Sequence, residues 1–469
     1  MTDHLSSEHT RRDIHRGNAV YLLLALAVLA LCSYTATQLH MSQCPDEAGR
    51  YLLPQFLYSH GQLPYGWEPE VRIEDWGFSY AFMPYLPAIL SACLMRIAAV
   101  FGAGEHGLLV AARLVSALCV AGAAFVACKL GEKVTGNRRA GLLCGVVVGC
   151  TPQVIFIGSY VNNDAMALLA VLIMVYAWAL GCLDDRVSDT TGAATAWSPS
   201  TLVLMALGMS LALLSYYNSY GFVLFCPIVF VAHARRKGCS WNRIVRGLAL
   251  VAVVAFLLAG WHFIRNLIIY QGDLFGMRMR REFAERYAID KLKPGVLSPR
   301  DKGLSPWETF VGRQWFAITT ISFFCVTGFL DVHAPIWVYL IYVAATAAGM
   351  LGCLSIWRNR HHGQAQRTVS VEMIVGLVCA CAITIALAMW YSYATDFQPQ
   401  GRYIFGCMSA YTLIVTCGVD RLSQRVSLGR EGDKTGLRIN LCTILSLVWI
   451  VLLVVCYFGC LVPCFLPRA

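Results

Sequence analysis

Apolar runs of about twenty residues recur along the whole chain, and they constrain its fold more than any other feature. An α-helix of about that length crosses the hydrocarbon core of a bilayer. Inside lipid, only helices and closed barrels satisfy their own backbone polar groups. Hydrophobic residues make up 58% of the chain and charged residues only 14%, which is far less charge than a soluble domain carries. The sequence therefore predicts an all-α polytopic membrane protein.

Eleven of these runs are predicted to cross the membrane. They cover residues 19–38, 108–128, 140–159, 165–183, 201–217, 220–234, 247–268, 335–355, 371–391, 404–419 and 440–462. The first run is too long, and is followed by too many others, to be a cleaved signal peptide. We expect a single transmembrane domain over residues 1–469, with no separate soluble domain. We call its two long connections the first outer loop (about 39–106) and the long outer loop (about 270–332).

Basic segments predict the orientation of the chain. The N-terminal tail carries three arginines, and residues 235–246 carry five positive charges without an acid, so both are predicted to be cytoplasmic. The polar loops 184–199 and 420–438 fall on the same side. The sequence contains no Asn-x-Ser/Thr sequon, which favours a bacterial source over a secretory-pathway protein. We expect a multi-pass protein of the inner or plasma membrane, with its N-terminus inside and its site on the outer face.

The run from 81 to 101 has two interpretations. It contains Pro84, Pro87 and Arg96. If it crossed the membrane, the basic loop 129–139 would face outward, against the positive-inside rule. We therefore favour a segment that lies along the membrane surface, with a spanning helix as the alternative.

The overall charge and the spacing of the cysteines bear on whether the protein binds nucleic acid, forms disulfides or binds metal through cysteine. The formal charge of +10 fits basic loops that face anionic lipid, and no feature indicates a nucleic-acid partner. The 20 cysteines are scattered through apolar runs without a CxxC pair. We interpret them as small buried hydrophobic residues rather than as disulfides or metal ligands.

Two adjacent carboxylates, Asp46 and Glu47, follow the first span. Ionisable groups at the edge of a membrane helix are costly without a partner or a task. Pro45 suits the first turn of a helix, and acids suit its positive end. Apolar residues recur among residues 50–59 in the pattern of an amphipathic helix, which predicts a helix lying at the interface. A capped interfacial helix without chemistry is the alternative.

Under this topology, four polar clusters are predicted on the outer face. They are Asp46/Glu47, Asn162/Asn163/Asp164, Arg265/Asn266 and Gln398/Gln400/Arg402. A site that holds a lipid phosphate while it removes a proton from an acceptor needs both carboxylates and cations. Arginine suits phosphate because its planar fork donates two parallel hydrogen bonds.

Each cluster also has a purely structural interpretation. Asp164 could cap the following helix, and Arg265 could extend from a helix end to the interface. Residues 400–403 could form an ordinary turn, in which Gly401 is expected to adopt a positive φ. The aromatic and acidic stretch 65–76 could stack on a sugar ring or form part of an interfacial aromatic belt.

The ordered set of these motifs resembles the GT-C superfamily of membrane glycosyltransferases, which use polyprenyl-phosphate-linked sugars. It is more closely similar to a bacterial branch of GT-C-like predicted membrane proteins of unassigned function. The matching pieces are Pro45-Asp46-Glu47, the Pro84/Pro87 segment, residues 112–117, Asn163-Asp164, residues 261–266 with Tyr270-Gln271-Gly272, and Gln400-Gly401-Arg402-Tyr403. The resemblance covers nearly the whole chain. It implies a GT-C-like bundle of about 11 transmembrane helices with interfacial helices in the first outer loop.

The resemblance also implies roles for single residues. Asp46 matches the first-loop acid that acts as catalytic base, with Glu47 beside it, and Asp164 matches the second-loop acid that supports the site or a metal. Arg265 and Arg402 fall where the family binds the lipid phosphate, and Arg280 or Arg281 could assist. Further substrate contacts are expected from Arg50, Asn163, Asn266, Gln398, Gln400 and Tyr403. The larger family members carry a C-terminal soluble domain, which is not expected here, and this leaves acceptor recognition open.

We therefore expect an inverting membrane glycosyltransferase with Asp46 as base. Its expected partners are a polyprenyl-phosphate-sugar donor, membrane lipids, and a glycan, lipid or protein acceptor. The sequence assigns no definite cofactor, and a divalent metal, Mg²⁺ or Mn²⁺, between Asp46, Glu47 and Asp164 is an option. One alternative is a transporter or flippase of a lipid-linked or polar substrate, with charges near the midplane and broken helices in repeated halves. The other is a non-catalytic envelope assembly protein, in which the polar clusters would not converge.

Overall fold

The computed structural model describes residues 2–183, 195–360, 369–428 and 440–467. Within these ranges the chain forms seventeen α-helices and one very short β-hairpin, so the predicted all-α class is confirmed. Of the loops predicted to be cytoplasmic, residues 184–194 and 429–439 lie outside the described residues.

The helices vary in length from a single turn to more than thirty residues. The first nine along the chain are α1 (Thr2–Gln38), α2 (Glu47–His60), α3 (Leu86–Val100), α4 (Glu105–Thr135), α5 (Arg138–Gly149), α6 (Pro152–Ile157), α7 (Asp164–Cys182), α8 (Pro199–Leu213) and α9 (Tyr220–Arg236). The others are α10 (Trp241–Ile269), α11 (Met277–Tyr287), α12 (Pro294–Leu297), α13 (Trp315–Phe324), α14 (Ile336–Arg360), α15 (Val371–Ala394), α16 (Met408–Leu428) and α17 (Leu441–Cys456). A 3₁₀ turn, Gly401–Cys407, leads into α16. The strands β1 (Val326–Thr327) and β2 (Val332–His333) pair antiparallel.

Nine helices in the described part of the chain are long and apolar enough to cross a membrane. They are α1 from Gly17 onward, α4, α7, α9, α10, α14, α15, α16 with its preceding turn, and α17 with the turns that follow it. The other two predicted spans take a different form. The run 140–159 is divided into α5 and α6, because a proline at position 152 disfavours helical backbone in the residue before it. The run 201–217 contains α8, whose 15 residues extend about 22 Å.

The bundle is built around α7. In the most apolar stretch of 18 residues in α7, 83% of the residues are buried by other parts of the protein. The corresponding share in α10 is 33%. Thus α7 lies at the centre, whereas α10 presents most of its surface outward. Small residues allow other helices to pack closely. Between α14 and α16, for example, a Cβ added at Gly418 would lie 1.9 Å from the carbonyl oxygen of Gly349.

The first outer loop packs as two short helices against the end of the bundle. The predicted amphipathic helix is present as α2, which buries Leu53, Phe56 and Leu57 on one face. The following helix, α3, has 15 residues and extends about 22 Å, less than the hydrocarbon core of about 30 Å. This length agrees with the predicted surface position of residues 81–101. Arg96 fixes α3 to α2 by donating to the carbonyl oxygen of Leu57 at 3.3 Å.

All twenty cysteines fall within the described residues, and all carry free thiols. Most of them are buried among apolar side chains. The predicted role of the cysteines as small buried hydrophobic residues agrees with this placement.

Candidate active site

Asp46 lies where the chain leaves α1 and enters α2. Its backbone adopts the left-handed conformation, with φ 63°, which is strained for a residue other than glycine and which Asp and Asn tolerate best. The Asp46 side chain is 29% exposed. Because of this turn, Asp46 and the adjacent Glu47 reach different partners.

Arg402, from the 3₁₀ turn before α16, joins carboxylates from two distant parts of the chain. Its Nη2 donates to Oδ2 of Asp46, and its Nη1 lies 3.8 Å from Oδ2 of Asp164. The same Nη1 donates to the hydroxyl of Tyr160 at 3.3 Å. The Arg402 side chain is 3% exposed and that of Asp164 is 1% exposed. The structure thus brings together members of three of the four predicted clusters.

Three residues predicted to contact substrate surround Arg402. Oε1 of Gln400 accepts from Nε of Arg402 at 2.6 Å. The Tyr403 hydroxyl donates to Oε1 of Gln398 and accepts from Nη2 of Arg402 at 3.4 Å. Nε2 of Gln398 then donates to Oδ2 of Asp396 at 2.6 Å. A polar chain therefore runs from Asp396 through Gln398 and Tyr403 to Arg402.

Glycine is required at position 401 because the backbone of Phe323 approaches it closely, and not because of its dihedral angles. The expected positive φ is wrong, because Gly401 is not among the glycines with positive φ. A Cβ at this position would lie 2.2 Å from the backbone nitrogen of Phe323. The Gly401 N–H donates to Oγ of Ser322 at 2.8 Å, so the turn that carries Arg402 packs directly on α13.

Glu47 does not join this cluster, and its predicted catalytic role is corrected. Its side chain is 0% exposed. Arg113 of α4 donates from Nε to Oε1 at 2.8 Å and from Nη2 to Oε2 at 2.5 Å. The N–H of Val161 donates to Oε1 at 2.8 Å. Nη1 of Arg113 donates to the carbonyl oxygens of Ala36 and Leu39 at 2.7 and 2.8 Å. The pair fastens α1, α2, α4 and the turn before α7 together.

Asn162, and not Asp164, caps α7. Oδ1 of Asn162 accepts from the N–H of Ala165 at 3.0 Å. Among the described residues, neither carboxylate oxygen of Asp164 accepts a hydrogen bond, so the interpretation of Asp164 as a cap is wrong. A buried carboxylate without hydrogen bonds is costly unless a charge or ligand compensates it. The only cation within salt-bridge distance in the described part of the chain is Arg402.

Asn163 connects two neighbouring loops. Its amide nitrogen donates to the carbonyl oxygens of Pro84 and Ser215 at 2.9 and 2.8 Å. Both of its donated hydrogen bonds therefore go to backbone from other loops. Its predicted contact with substrate stays a prediction.

In the described part of the chain, Arg265 and Asn266 make no hydrogen bond or ion pair with Asp46, and Nη1 of Arg265 has no hydrogen-bond partner, so their predicted roles stay predictions. Nη2 of Arg265 donates to the carbonyl oxygen of Pro64 at 2.5 Å, and its guanidinium lies 5.6 Å from the ring centre of Tyr65. Asn266 donates to the carbonyl oxygen of Leu274 at 3.2 Å. Both residues attach the end of α10 to neighbouring loops.

Arg50, one turn after Asp46, is a buried cation without a hydrogen-bonded anion. It is 4% exposed, and its guanidinium lies 4.4 Å from the ring centre of Tyr80 and 5.5 Å from that of Tyr216. Its Nε and Nη1 have no hydrogen-bond partner among the described residues. Buried guanidinium N–H groups without an acceptor suit an anionic ligand.

A cavity of about 320 Å³ lies beside this cluster. Arg280, expected from the sequence only to assist the other cations, lines the cavity with its side chain. Its guanidinium lies 4.3 Å from the ring centre of Phe78, and Nη2 donates to the Tyr391 hydroxyl at 3.3 Å. Trp76, from the aromatic stretch 65–76, also lines the cavity. The chain from α10 folds back to bring Arg280 to this position, which no local sequence signal indicated.

The charges in this region act on each other. Burial opposes ionisation of Asp46, but the guanidinium groups of Arg402, Arg50 and Arg280 outweigh it and lower the pKa of Asp46 below its ordinary value of 3.8. Burial raises the pKa of Asp396, and the negative charge of Asp46 adds to this effect. Asp46 is therefore a carboxylate at neutral pH, and Arg280 acts on both acids.

The three acids predicted to hold Mg²⁺ or Mn²⁺ do not form a metal centre. In the described ranges, no group of three or more His, Cys, Asp or Glu side chains is arranged to hold a metal ion. Glu47 is bound to Arg113, and the Arg402 guanidinium contacts both Asp46 and Asp164. These residues do not fit a divalent metal, because Arg402 already supplies positive charge where the metal would lie.

Residues 72–288 match the protein family described as "Predicted membrane protein (DUF2142)". The matched segment runs from the first outer loop through α11. Among curated protein sequences, none matches this chain.

Two solved membrane proteins share the fold. One is the archaeal oligosaccharyltransferase AglB from Archaeoglobus fulgidus, in complex with an inhibitory peptide and a dolichol-phosphate, at a TM-score of 0.52 and 12% identity over 92% of this chain. The chain spans about 55% of the length of that protein. The other is ArnT from Cupriavidus metallidurans in the apo state, at a TM-score of 0.51 and 13% identity over 94% of this chain and 76% of ArnT. The predicted GT-C-like fold is confirmed.

Proposed function

We propose that this protein is a membrane glycosyltransferase that moves a sugar from a polyprenyl-phosphate-linked donor to an extracytoplasmic acceptor. One observation carries the proposal. Of the three acids expected in the site, only Asp46 combines access with a fixed cationic partner. Its side chain is 29% exposed, whereas those of Asp164 and Glu47 are 1% and 0% exposed.

The proposed reaction uses Asp46 as the general base. Asp46 is ionised at neutral pH, because Arg402 and its neighbours lower its pKa. It accepts the proton of an acceptor hydroxyl, whose oxygen attacks the anomeric carbon of the donor sugar. The bond from that carbon to the phosphate oxygen breaks, and polyprenyl phosphate leaves with the electron pair, so the configuration inverts. General-base catalysis of this kind contributes about 10²- to 10⁴-fold in rate.

The leaving phosphate is assigned to Arg50 and Arg280. The free N–H groups of Arg50 can donate to an anion, and Arg280 lines the adjoining cavity. The guanidinium of Arg50 lies 4.4 Å from the ring centre of Tyr80, and Arg280 interacts electrostatically with the same tyrosine. This assignment replaces Arg265, and it leaves Arg402 to position Asp46. The complex of AglB with a dolichol-phosphate supports a lipid phosphate as the ligand class.

The site is proposed to face the outer side of the membrane. Its first loop contacts Arg265 near the end of α10, and the basic segment 235–246 lies at the start of that helix. The 29 residues of α10 extend about 43 Å, so these two regions are at opposite ends of the bundle. Since the basic segment favours the cytoplasm, the Asp46 cluster would lie outside.

The two alternative functions fit these observations less well. The hypothesis of a non-catalytic assembly protein predicts that the polar clusters do not converge. In the structure, Arg402 contacts both Asp46 and Asp164. The transporter hypothesis predicts charged residues near the membrane midplane. Arg113 and Glu372 lie near the starts of α4 and α15 instead.

The test is mass spectrometry of lipid-linked sugars and envelope glycans in a strain from which the gene is deleted. We expect a lipid-linked sugar to accumulate and a glycan modification to disappear. Wild-type protein should restore the profile, and Asp46→Asn should not. The matched control is Asp75→Asn, an exposed carboxylate of the same loop, which should restore it fully. An unchanged profile in the deletion strain, or restoration by Asp46→Asn, would refute the proposal.

A further inference from the structure

The cavity beside Asp46 has an unusual combination of side chains for its size. Its volume of about 320 Å³ lies within the usual range of small-molecule sites, about 300–1,000 Å³. Aromatic side chains form much of its wall, and it is lined by four arginines and a single carboxylate, Asp396. The arginines are Arg278, Arg280, Arg281 and Arg300. Such a site carries a net positive charge with one hydrogen-bond acceptor of opposite charge.

Asp396 is held in place by neutral groups. Its Oδ2 accepts from Nε2 of Gln398 at 2.6 Å, and Gln398 is itself fixed by the Tyr403 hydroxyl. Among the described residues, no cation lies within salt-bridge distance of Asp396. The carboxylate is therefore oriented without being neutralised, which leaves its second oxygen available to a ligand in the cavity.

We propose that Asp396 is the residue that recognises the sugar of the donor, by accepting hydrogen bonds from the hydroxyl groups of a neutral sugar whose phosphate is bound by Arg280. This inference rests on the proposed function for the identity of the ligand as a sugar phosphate. Aromatic walls such as Trp76 and Trp390 provide apolar faces against which a sugar ring can pack. Asp396 supplies the directional contact that selects one sugar over another.

The charge of the cavity further restricts the class of sugar. Two of the four arginines are paired with carboxylates outside the wall, Arg278 with Glu282 at 3.7 Å and Arg300 with Asp301 at 3.3 Å. Arg280 and Arg281 remain opposite Asp396, so the cavity keeps an excess of positive charge, which opposes binding of a cationic amino sugar. A sugar with free, uncharged hydroxyl groups carries no such cost. The site is therefore assigned to a neutral hexose or related sugar, and not to an aminated one.

The polar chain from Asp396 explains why sugar recognition and catalysis can occur together. Asp396 contacts Gln398, Gln398 contacts Tyr403, and Tyr403 contacts Arg402, which holds Asp46. A sugar bound to Asp396 is therefore held on the same polar chain as the base. Asp396 acts as a specificity-determining residue, and Gln398 and Tyr403 act as positioning residues.

The test is calorimetric binding of defined probes to the purified full-length protein. The probes are inorganic phosphate, glucose 1-phosphate, galactose 1-phosphate, mannose 1-phosphate and glucosamine 1-phosphate. We expect the wild type to bind at least one neutral hexose 1-phosphate more tightly than inorganic phosphate and than glucosamine 1-phosphate. Asp396→Asn should weaken binding of that hexose phosphate by about 10- to 100-fold, since a hydrogen bond to a charged group is lost.

The same variant should bind inorganic phosphate more tightly, because a negative charge is removed from a cationic cavity. These opposite changes distinguish sugar recognition from other roles. A purely electrostatic role would strengthen binding of both probes, a purely structural role would weaken both, and either result would overturn the proposal. Asp290→Asn, whose side chain is 98% exposed, is the matched control and should change neither affinity.

The result of this binding test can be distinguished from the result of the test of the proposed function. If the probes bind as expected but glycans of the deletion strain are unchanged, the sugar site stands and the transferase assignment fails. If glycans change but Asp396→Asn keeps the full preference for the hexose phosphate, only the role of Asp396 fails. A wild type that binds no hexose 1-phosphate better than inorganic phosphate overturns the inference.

Discussion

Two arginine–carboxylate contacts lie side by side at the start of α2. In the Glu47–Arg113 contact both side chains are 0% exposed, and the guanidinium also binds two carbonyl oxygens of α1 and its end. In the Asp46–Arg402 contact the carboxylate is 29% exposed, and its backbone is left-handed. One contact is sealed within the bundle, and the other is open to a substrate.

The difference between these contacts indicates how the site is built. A strained residue persists only where its surroundings hold it in place. The Glu47–Arg113 pair connects α1, α2 and α4, and so fixes the chain on which Asp46 lies. Rigid support of this kind is what a positioned catalytic group requires. We therefore assign stability to the first contact and chemistry to the second.

The largest expected effect comes from breaking the sealed contact. Glu47→Gln leaves the buried Arg113 charge without its anion, which should reduce the free energy of unfolding by about 3–5 kcal/mol. Thermal unfolding of the purified protein measures this change. Replacing both Glu47 and Arg113 by Met should recover part of the loss, because no unpaired charge remains. An unchanged melting temperature for Glu47→Gln would contradict the stabilising role assigned to the Glu47–Arg113 contact.

The next effect concerns the open contact. Arg402→Lys keeps the charge but loses the fork that donates to Asp46, Tyr160 and Gln400 at once. The base would lose its fixed position, and misplacement of about 1 Å costs about 10²-fold in rate. Sugar transfer should fall by that order, with a smaller change in melting temperature than for Glu47→Gln. Full activity of Arg402→Lys would mean that charge alone suffices.

A third effect tests the support behind Arg402. The Cβ of Gly401→Ala would press against the backbone of Phe323, and overpacking of this kind costs about 1–3 kcal/mol. Both thermal stability and activity should decline, because the turn that carries Arg402 must move. Gly312→Ala is the control, since a Cβ there meets no atom within 4 Å. Equal melting temperatures for the two variants would contradict the proposed close packing.

The smallest effect is a pH dependence. Burial opposes ionisation of Asp46, but Arg402 and its neighbours lower the pKa of Asp46 below 3.8 in the folded protein. The stabilisation from its ionised form is therefore present above the unfolded pKa of about 3.9 and is lost as pH falls through the folded value. Melting temperatures should show this loss only below about pH 4, and Asp46→Asn should lack it. An activity that instead declines with a midpoint near neutral pH would assign the base to another group.

The sequence was sufficient to predict the helices and much of the Asp46 cluster. Long apolar runs predict helix positions because the bilayer leaves few alternatives. The order of motifs also placed Asp46, Asp164 and Arg402 at the same end of the bundle. The break between α5 and α6 was not predicted, although Pro152 interrupts the apolar run and is the sequence signal for it.

Side-chain direction could not be read from the sequence. Adjacent carboxylates gave no indication that the left-handed turn at Asp46 would send Glu47 into the bundle. Arg113 offered one signal, since an arginine inside a membrane helix needs a buried partner, and Glu47 proved to be that partner. The choice of Arg280 over Arg265 depends on how the long outer loop folds back, which is a tertiary contact without a local pattern.

The most direct measurement is sugar transfer by purified Asp46→Asn, compared with the wild type and with Glu47→Gln. Asparagine tolerates the left-handed backbone as aspartate does, so this variant removes the charge with little change in fold. We predict that Asp46→Asn keeps a near-normal melting temperature and loses about 10²- to 10⁴-fold in transfer rate. Transfer at the wild-type rate by folded Asp46→Asn would contradict the role assigned to this carboxylate.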